Sequence, residues 1–305
     1  MTAPKQIIYL PNIETYNLWA PTYDTDGNIL QAIDDHQLRQ HLLLSTLSSL
    51  LSTSPNTLTI TDLGAGTGRA TLALLSTLST LLLQLPLSRP LSLHISLLDA
   101  SPSMLSLART KISAFTTSIP TLPNLELTTT YHVHDIALPL PKGIPKANLL
   151  LSTLVLEHLP LSSFFATLVE ALKPDGMGVV TNMHSHMGAT AVNAAWAAEE
   201  SEQERSRAAT ATGAGFVDEQ GRKVRAEVDF RHGEGEVESV ARGKGLTVGE
   251  RGEVVVTEGM LGEDDGEGKG RIEGQGEGIR LGLRGRKWVG TKVWVGWVLR
   301  RGSEC

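Results

Sequence analysis

The residue types with the most chemistry in them lie between Asp62 and Arg69, in the text Asp62-Leu63-Gly64-Ala65-Gly66-Thr67-Gly68-Arg69. Glycine is needed where the backbone takes positive φ, or where a ligand approaches closer than a Cβ permits. A helix starting just after such a turn also offers free N–H groups to an anionic group. Three nucleotide chemistries use a turn of this kind, and the spacing separates them. A dinucleotide site reads G-x-G-x-x-G, but the sixth position counted from Gly64 is Arg69. A phosphate loop ends in Lys-Ser or Lys-Thr, whereas Arg69-Ala70 follows the last glycine here. What remains is an acid followed by glycines at alternate positions, with further acids downstream at Asp99 and Asp135.

That pattern resembles the first motif of the class I S-adenosylmethionine-dependent methyltransferases, and other stretches follow in the family's order. Leu98-Asp99-Ala100-Ser101-Pro102-Ser103-Met104 looks like the end of the second strand, where the family keeps a ribose-binding acid. His134-Asp135-Ile136 resembles the third-strand site for the adenine. The stretch from Leu151 to Pro160, with Thr153, Leu154, Glu157 and His158, resembles the segment that lines the active site after the fourth strand. Ala171-Leu172-Lys173-Pro174-Asp175-Gly176 matches the lead-in to the fifth strand, and Lys287-Trp288-Val289-Gly290 is weakly similar to the tail. Tyr16 to Asp24, with Trp19 and Tyr23, is similar to the lid of the ubiquinone-type and fungal small-molecule members.

The resemblance implies an enzyme with S-adenosylmethionine as cofactor and S-adenosylhomocysteine as product, acting on a small organic acceptor by O-methylation. It places Tyr16, Asp62, Gly64, Gly66, Gly68 and Arg69 on the cofactor, Arg69 near its carboxylate. It adds Asp99, Ala100, Met104, Asp135, Ile136, Thr153 and Leu154 to the same set. Trp19, Tyr23, Glu157, His158 and His184 fall to the acceptor, with His158 and His184 as candidate catalytic bases. One position departs from the family: Asn148 stands where an acid usually opens the fourth strand, which puts binding of a substrate amine there in question. Two other readings stay open, a cofactor-binding regulatory protein of the same fold and a methyltransferase acting on protein.

Each residue also has a plainer reading. Paired oxygens on Asp99 match a ribose diol, yet an acid there also serves a helix that begins after Ser101. Asp62 either contacts the cofactor or braces the glycine turn, and Asp135 is a turn acid before Pro139 if it is not a ligand. Met104 packs on the adenine or in the core. His132 and His134 share a face in extended chain, as do His184 and His186, but no recognised metal spacing follows, and transfer from a sulfonium needs none. Tyr16, Trp19 and Tyr23 either close over the sulfonium by cation–π contact or pack as an aromatic stripe.

The elements that must position these residues alternate along the chain. Leucines recurring at three and four positions give a helix over Asp34–Leu51. Strands are expected at Leu58–Leu63, Leu91–Leu98, Leu125–His132, Ala147–Leu151 and Met177–Met183. Helices are expected at Arg69–Leu85, Pro102–Thr117 (capped by Ser101) and Ser162–Leu172. Beyond them come a helical stretch at Ala194–Ala209, a short helix at Glu236–Arg242, and strands at Glu253–Glu258 and Lys287–Leu299. Trp288 and Trp294 of the last strand share parity and Trp297 faces away. Strand and helix in alternation build a doubly wound, mostly parallel α/β sheet, here of seven strands, Rossmann-like, under an N-terminal helical lid. The final two strands have no helix between them and should pair antiparallel.

Composition divides the chain. Of the 30 glycines, 22 lie from Gly213 onward. The reading is a lid and helix over 1–56, a cofactor-binding core over 57–187, an insertion covering the cleft over 188–235, and the remaining sheet over 236–305. A Gly/Glu-rich loop at 259–285 is expected to be disordered. With 27 basic and 33 acidic side chains the net charge is −6, which argues against nucleic acid as partner and leaves a protein partner or a homodimer open. Cys305 stands alone, so no internal disulfide forms, and a cytoplasmic or nuclear protein is expected. Met1–Leu10 lacks the pattern of a secretory signal, and no apolar run approaches the roughly 20 residues a bilayer needs.

Overall fold

The computed structural model describes residues 7–53, 56–84, 90–118, 124–189, 215–218, 220–226, 230–262 and 278–303. Short runs of β-branched and leucine residues make five parallel strands: β2 (Thr57–Leu63), β3 (Leu91–Asp99), β4 (Leu125–Val133), β5 (Ala147–Thr153) and β6 (Leu172–Met183). β10 (Lys292–Arg301) pairs antiparallel with both β6 and β9 (Leu246–Val255). The sheet order is β4-β3-β2-β5-β6-β10-β9. β2 leads to β3 on one side and lies against β5 on the other, so the chain reverses direction across the sheet at β2. The crevice beyond the carboxyl ends of β2 and β5 is where such sheets bind ligands.

Helices cover both faces. One face carries α2 (Ile29–Gln37), α3 (Leu43–Ser52), α4 (Arg69–Gln84) and α5 (Pro102–Ser118). The other carries α6 (Leu161–Ala171) and, past the short α7 (Ser185–Ala189), α8 (Glu234–Gly243). Alternation along β10 sends Trp294 into the first core and Trp297 into the second. Each indole finds an acceptor, Trp294 on Asp34 at 2.8 Å and Trp297 on Glu238 at 3.4 Å. A second, three-stranded sheet joins β1 (Ile7–Leu10), β8 (Lys223–Ala226) and β7 (Gly215–Val217), and α1 (Asn12–Trp19) follows β1. Among the described residues no helix is long and apolar enough to cross a membrane.

Several boundaries differ from the sequence reading, each for a local reason. The helix expected over Asp34–Leu51 starts at Ile29, where the Asn28 side chain caps the Leu30 N–H at 3.0 Å. It widens to a π turn at Leu38–Leu42 before α3. Gly290, at φ +81°, stops any strand before Lys292, and Leu283–Trp288 forms a 3-10 turn instead. β9 begins seven residues earlier than Glu253, because an edge strand accepts Gly249 and Gly252 where a central one would not. The Lys173–Gly176 text belongs to β6 itself, at a register shift in its pairing with β5, with Asp175 at φ +60°.

The glycine-rich loop expected over 259–285 is anchored at its described end: Ile279 and Leu281 are buried in the first core. The Leu281 N–H donates to the Met260 carbonyl at 2.7 Å. The helical stretch expected at Ala194–Ala209 and the middle of that loop lie outside the described residues.

Candidate functional site

A cavity of about 400 Å3 opens at the carboxyl ends of β2, β3, β4 and β5. Gly64, Gly66, Asp99, Ala100, Met104, Asp135, Ile136, Thr153, Leu154 and His158 line it, and Tyr16 and Tyr23 reach it from the N-terminal segment. Twelve positions named from the sequence, spread over 143 residues of chain, thus meet on one surface.

The glycine turn shows why glycine stands there. At Gly64 (φ +77°) a Cβ would come within 2.5 Å of Val155 Cγ2, so the loop after β5 could not pack as it does. At Gly66 (φ +53°) a Cβ would meet nothing within 4 Å, because that face of the backbone opens onto free space. Gly68 lies away from the cavity, pressed against Ala108 of α5. Asp99, the last residue of β3, closes the turn: one oxygen accepts from the Gly66 N–H and the other from the Ser101 N–H, both at 2.8 Å. Burial pushes its carboxyl upward, against those two N–H bonds and the nearby His158. Ser101 caps α5 by accepting from the Met104 N–H at 3.1 Å, so the plainer role expected for this corner coexists with its place at the cavity. Asp135 likewise makes a turn bond to the Ala137 N–H at 2.9 Å and still lines the wall. Leu154 holds a positive φ of 56°, an uncommon state for a residue with a Cβ and one that clusters at binding sites.

α1 forms the roof. Asn12 and Tyr16, one helical turn apart, both reach the His158 ring: Asn12 Nδ2 is 3.3 Å from Nδ1 and Tyr16 Oη is 2.7 Å from Nε2. With the amide donating to Nδ1, Nε2 carries the ring proton and Tyr16 accepts it; a half-turn of the amide reverses both bonds. The helix is fixed at its other side by Asn17, whose oxygen accepts from Ser101 Oγ at 2.7 Å and from the Ser103 N–H at 3.3 Å. Tyr16, Trp19 and Tyr23 pack on one another, and Trp19 also stacks on Phe216 with centroids 5.4 Å apart. Burial pushes the Tyr23 phenol far up. His232 supports the segment carrying His158, with Nε2 2.9 Å from the Leu159 carbonyl and 3.1 Å from that of Leu156.

Six named residues are placed elsewhere. Asp62 is fully buried beneath the turn and accepts from Thr71 Oγ1 at 2.6 Å, which is the bracing role; burial pushes its carboxyl up to about 6. Arg69 does not reach toward a cofactor carboxylate, because Asp34 (2.6 Å) and Asp35 on α2 hold its guanidinium. Burial works to lower its pKa, but those two carboxylates raise it further than burial lowers it. Trp19 is buried behind Tyr16, its indole N–H on Asp26 at 3.0 Å. Glu157 is turned into the protein beside the cavity. Gly68 makes the packing contact already described.

His184 is the clearest correction. It follows β6 as expected, yet its ring is buried between Glu234 at 3.4 Å and Glu253 at 3.5 Å, against His186, and does not line the cavity. Burial pushes its pKa down, although both glutamates oppose this. Asn148 sits at the amino end of β5 and does not line the cavity at the strand's other end. Its oxygen accepts from the Thr59 N–H at 3.0 Å and from Lys173 Nζ at 2.9 Å, so its neutrality has no bearing on the cleft.

Asn12, Asn17, Phe216 and His232 were not found from the sequence. Asn17 lies in the Tyr16–Asp24 lid segment and Asn12 one turn before it, neither with a motif of its own, and Phe216 and His232 come from the far half of the chain. Among the described residues no group of three or more His, Cys, Asp or Glu is arranged to hold a metal.

No protein-family model matches the chain. It is 33% identical over 309 aligned residues to an uncharacterised methyltransferase of Emericella nidulans, covering 95% of this chain and 91% of that one. Among solved structures, magnesium protoporphyrin IX methyltransferase from Synechocystis PCC 6803, with bound SAH, is similar in fold. Its TM-score is 0.51 at 14% identity, over 95% of each chain. Motif order, sheet order and the full-length relative agree: the chain belongs to the class I S-adenosylmethionine-dependent methyltransferases.

Proposed function

We propose that the chain methylates a hydroxyl group on a small, uncharged and largely apolar organic acceptor. The observation that carries this reading is the composition of the cavity wall. Asp99 and Asp135 bring carboxylates to it and His158 an imidazole, while among the described residues no lysine or arginine lines it. A carboxylate or phosphate on the acceptor would enter a field of its own sign without a counter-ion. Pro11, Ile13, Ala137 and Leu159 instead give the outer wall an apolar surface.

The residues suit the donor as well. The open face of Gly66 admits a ligand against the backbone, and Asp99, oriented by two N–H groups, keeps lone pairs for a ribose diol. Met104 and Ile136 offer apolar surface to a base, with Asp135 at its edge. The phenol faces of Tyr16 and Tyr23 and the acidic wall favour a cation between them. When bound, S-adenosylmethionine supplies an electrophilic methyl on a positively charged sulfur.

His158 takes the hydroxyl proton in the amide orientation that leaves a lone pair on Nε2, with Tyr16 Oη able to pass the proton along. The α1 roof excludes water and fixes the approach, which is where most acceleration of such a transfer arises. Labelled-methyl transfer to paired acceptors, a neutral aryl alcohol against its carboxylated analogue, tests the reading. The neutral member should have a kcat/KM at least about tenfold higher, or 1.4 kcal/mol in barrier. Preference for the carboxylated member would contradict it.

A further inference from the structure

The two edges of the large sheet are finished differently. β9, at one end, carries Glu250, Arg251 and Glu253, and its pairing with β10 is interrupted by register shifts. Charges and bulges of this kind are how natural sheets keep an edge from pairing with another chain. β4, at the other end, has nine residues, a single carboxylate at Glu126 and no bulge: its text is Leu-Glu-Leu-Thr-Thr-Thr-Tyr-His-Val, in unbroken register with β3. Among the described residues no strand pairs with its outer side. Glu126, Thr128 and Thr130 are exposed on one face, and Val133 at the strand end is 64% exposed.

The strand is complementary to itself read backwards. Turned about Thr129, its central residue, β4 sets Thr128 opposite Thr130, Leu127 opposite Tyr131, Glu126 opposite His132 and Leu125 opposite Val133. Hydroxyl meets hydroxyl, apolar meets apolar, and the one carboxylate meets an imidazole. Two-fold symmetry makes each of these pairs twice, which is the property an isologous contact requires. The helix above also has room. α5 packs on both β3 and β4, so with strands about 4.8 Å apart the two-fold would set a pair of α5 axes roughly 10 Å apart, an ordinary helix-packing distance. Ser113 and Thr116, which line the groove between α5 and β4, are small enough for that approach. Arg109 is drawn in over the Tyr131 ring at 4.4 Å.

We infer that this edge is the contact surface of a homodimer, in which β4 of one protomer pairs antiparallel with β4 of a second copy about Thr129, joining the two sheets into one. The inference does not rest on the acceptor or on the catalytic reading, because β4 contributes its outer edge and not its carboxyl end.

Sedimentation of the full chain over a range of concentrations tests it. The wild type should dimerise. Glu126→Lys sets lysine against His132 twice and should raise the dimer dissociation constant by about tenfold or more. His132→Glu should do the same by opposing two carboxylates. The combined Glu126→Lys/His132→Glu chain restores opposite charges in the same register and should dimerise again. Thr129→Pro, which removes an edge N–H, should leave monomers. Circular dichroism and donor binding confirm that each variant is folded. A wild type that stays monomeric, single reversals that leave association unchanged, or a double reversal that does not recover it overturns the inference.

Discussion

His158 and His184 both follow the carboxyl ends of neighbouring parallel strands, five residues after β5 and one after β6, and they have opposite fates. The ring of His158 enters the cavity and is met by two polar groups of a separate helix, Asn12 and Tyr16. That of His184 turns to the other side and is closed in by Glu234 and Glu253. The difference comes from the next element in each case. After β5 the chain crosses the top of the sheet in a 3-10 turn at Leu156–His158, held by His232. After β6 the short α7 starts at once, and Glu234 caps it by accepting from the Ser185 N–H at 2.7 Å and from its hydroxyl at 2.9 Å. Position at a strand end admits a residue to the cleft; the following turn decides whether it enters.

His158→Ala should have the largest effect, lowering kcat about 100-fold, the lower range for loss of a positioned base, with little change in donor affinity. Steady-state kinetics beside calorimetry separates the two, and unchanged turnover would clear His158 of the chemistry. His184→Ala should do the reverse. It deletes a buried ring facing two carboxylates and should cost about 3 kcal/mol in denaturant unfolding, while kcat of the folded enzyme stays within about threefold. A collapse of kcat at full stability would return His184 to the site.

Asp62 gives the smallest effect and sharpens the contrast between bracing and contact. Its folded pKa of about 6 lies above the ordinary carboxylate range near 3.9. A raised pKa means the folded state binds the proton more tightly, so the associated stability is present below about pH 4 and is lost as pH rises through 6. Asp62→Asn has no charge to bury and escapes that loss. Its stability relative to wild type should therefore improve by about 2 kcal/mol between pH 4 and pH 7, read by unfolding at both. An equal difference at the two pH values would show that Asp62 is not buried as a charge.

Much of the sheet was legible because its signal is local. β2, β3, β5 and the helices α4, α5 and α6 fall within two residues of the periodicity, and Ser101 caps α5 as the text suggests. Cavity-lining positions were legible where a motif ties residue type to backbone shape, as at Gly64, Gly66 and Asp99. The failures arose where an outcome depends on a distant partner. Arg69 is adjacent to the turn, but α2 supplies two carboxylates that sequence spacing does not reveal. The three-stranded sheet joins segments more than 200 residues apart, and Ile279 and Leu281 are single apolar residues in a polar stretch. Neither leaves a periodic trace.

Asp99 is the acid proposed to receive the donor at the mouth of the glycine turn. Calorimetry of S-adenosylmethionine and S-adenosylhomocysteine on wild type and Asp99→Ala tests this most directly. Loss of paired, charge-assisted hydrogen bonds should weaken both ligands by roughly 10- to 100-fold. Equal affinity for the two proteins would contradict the assignment.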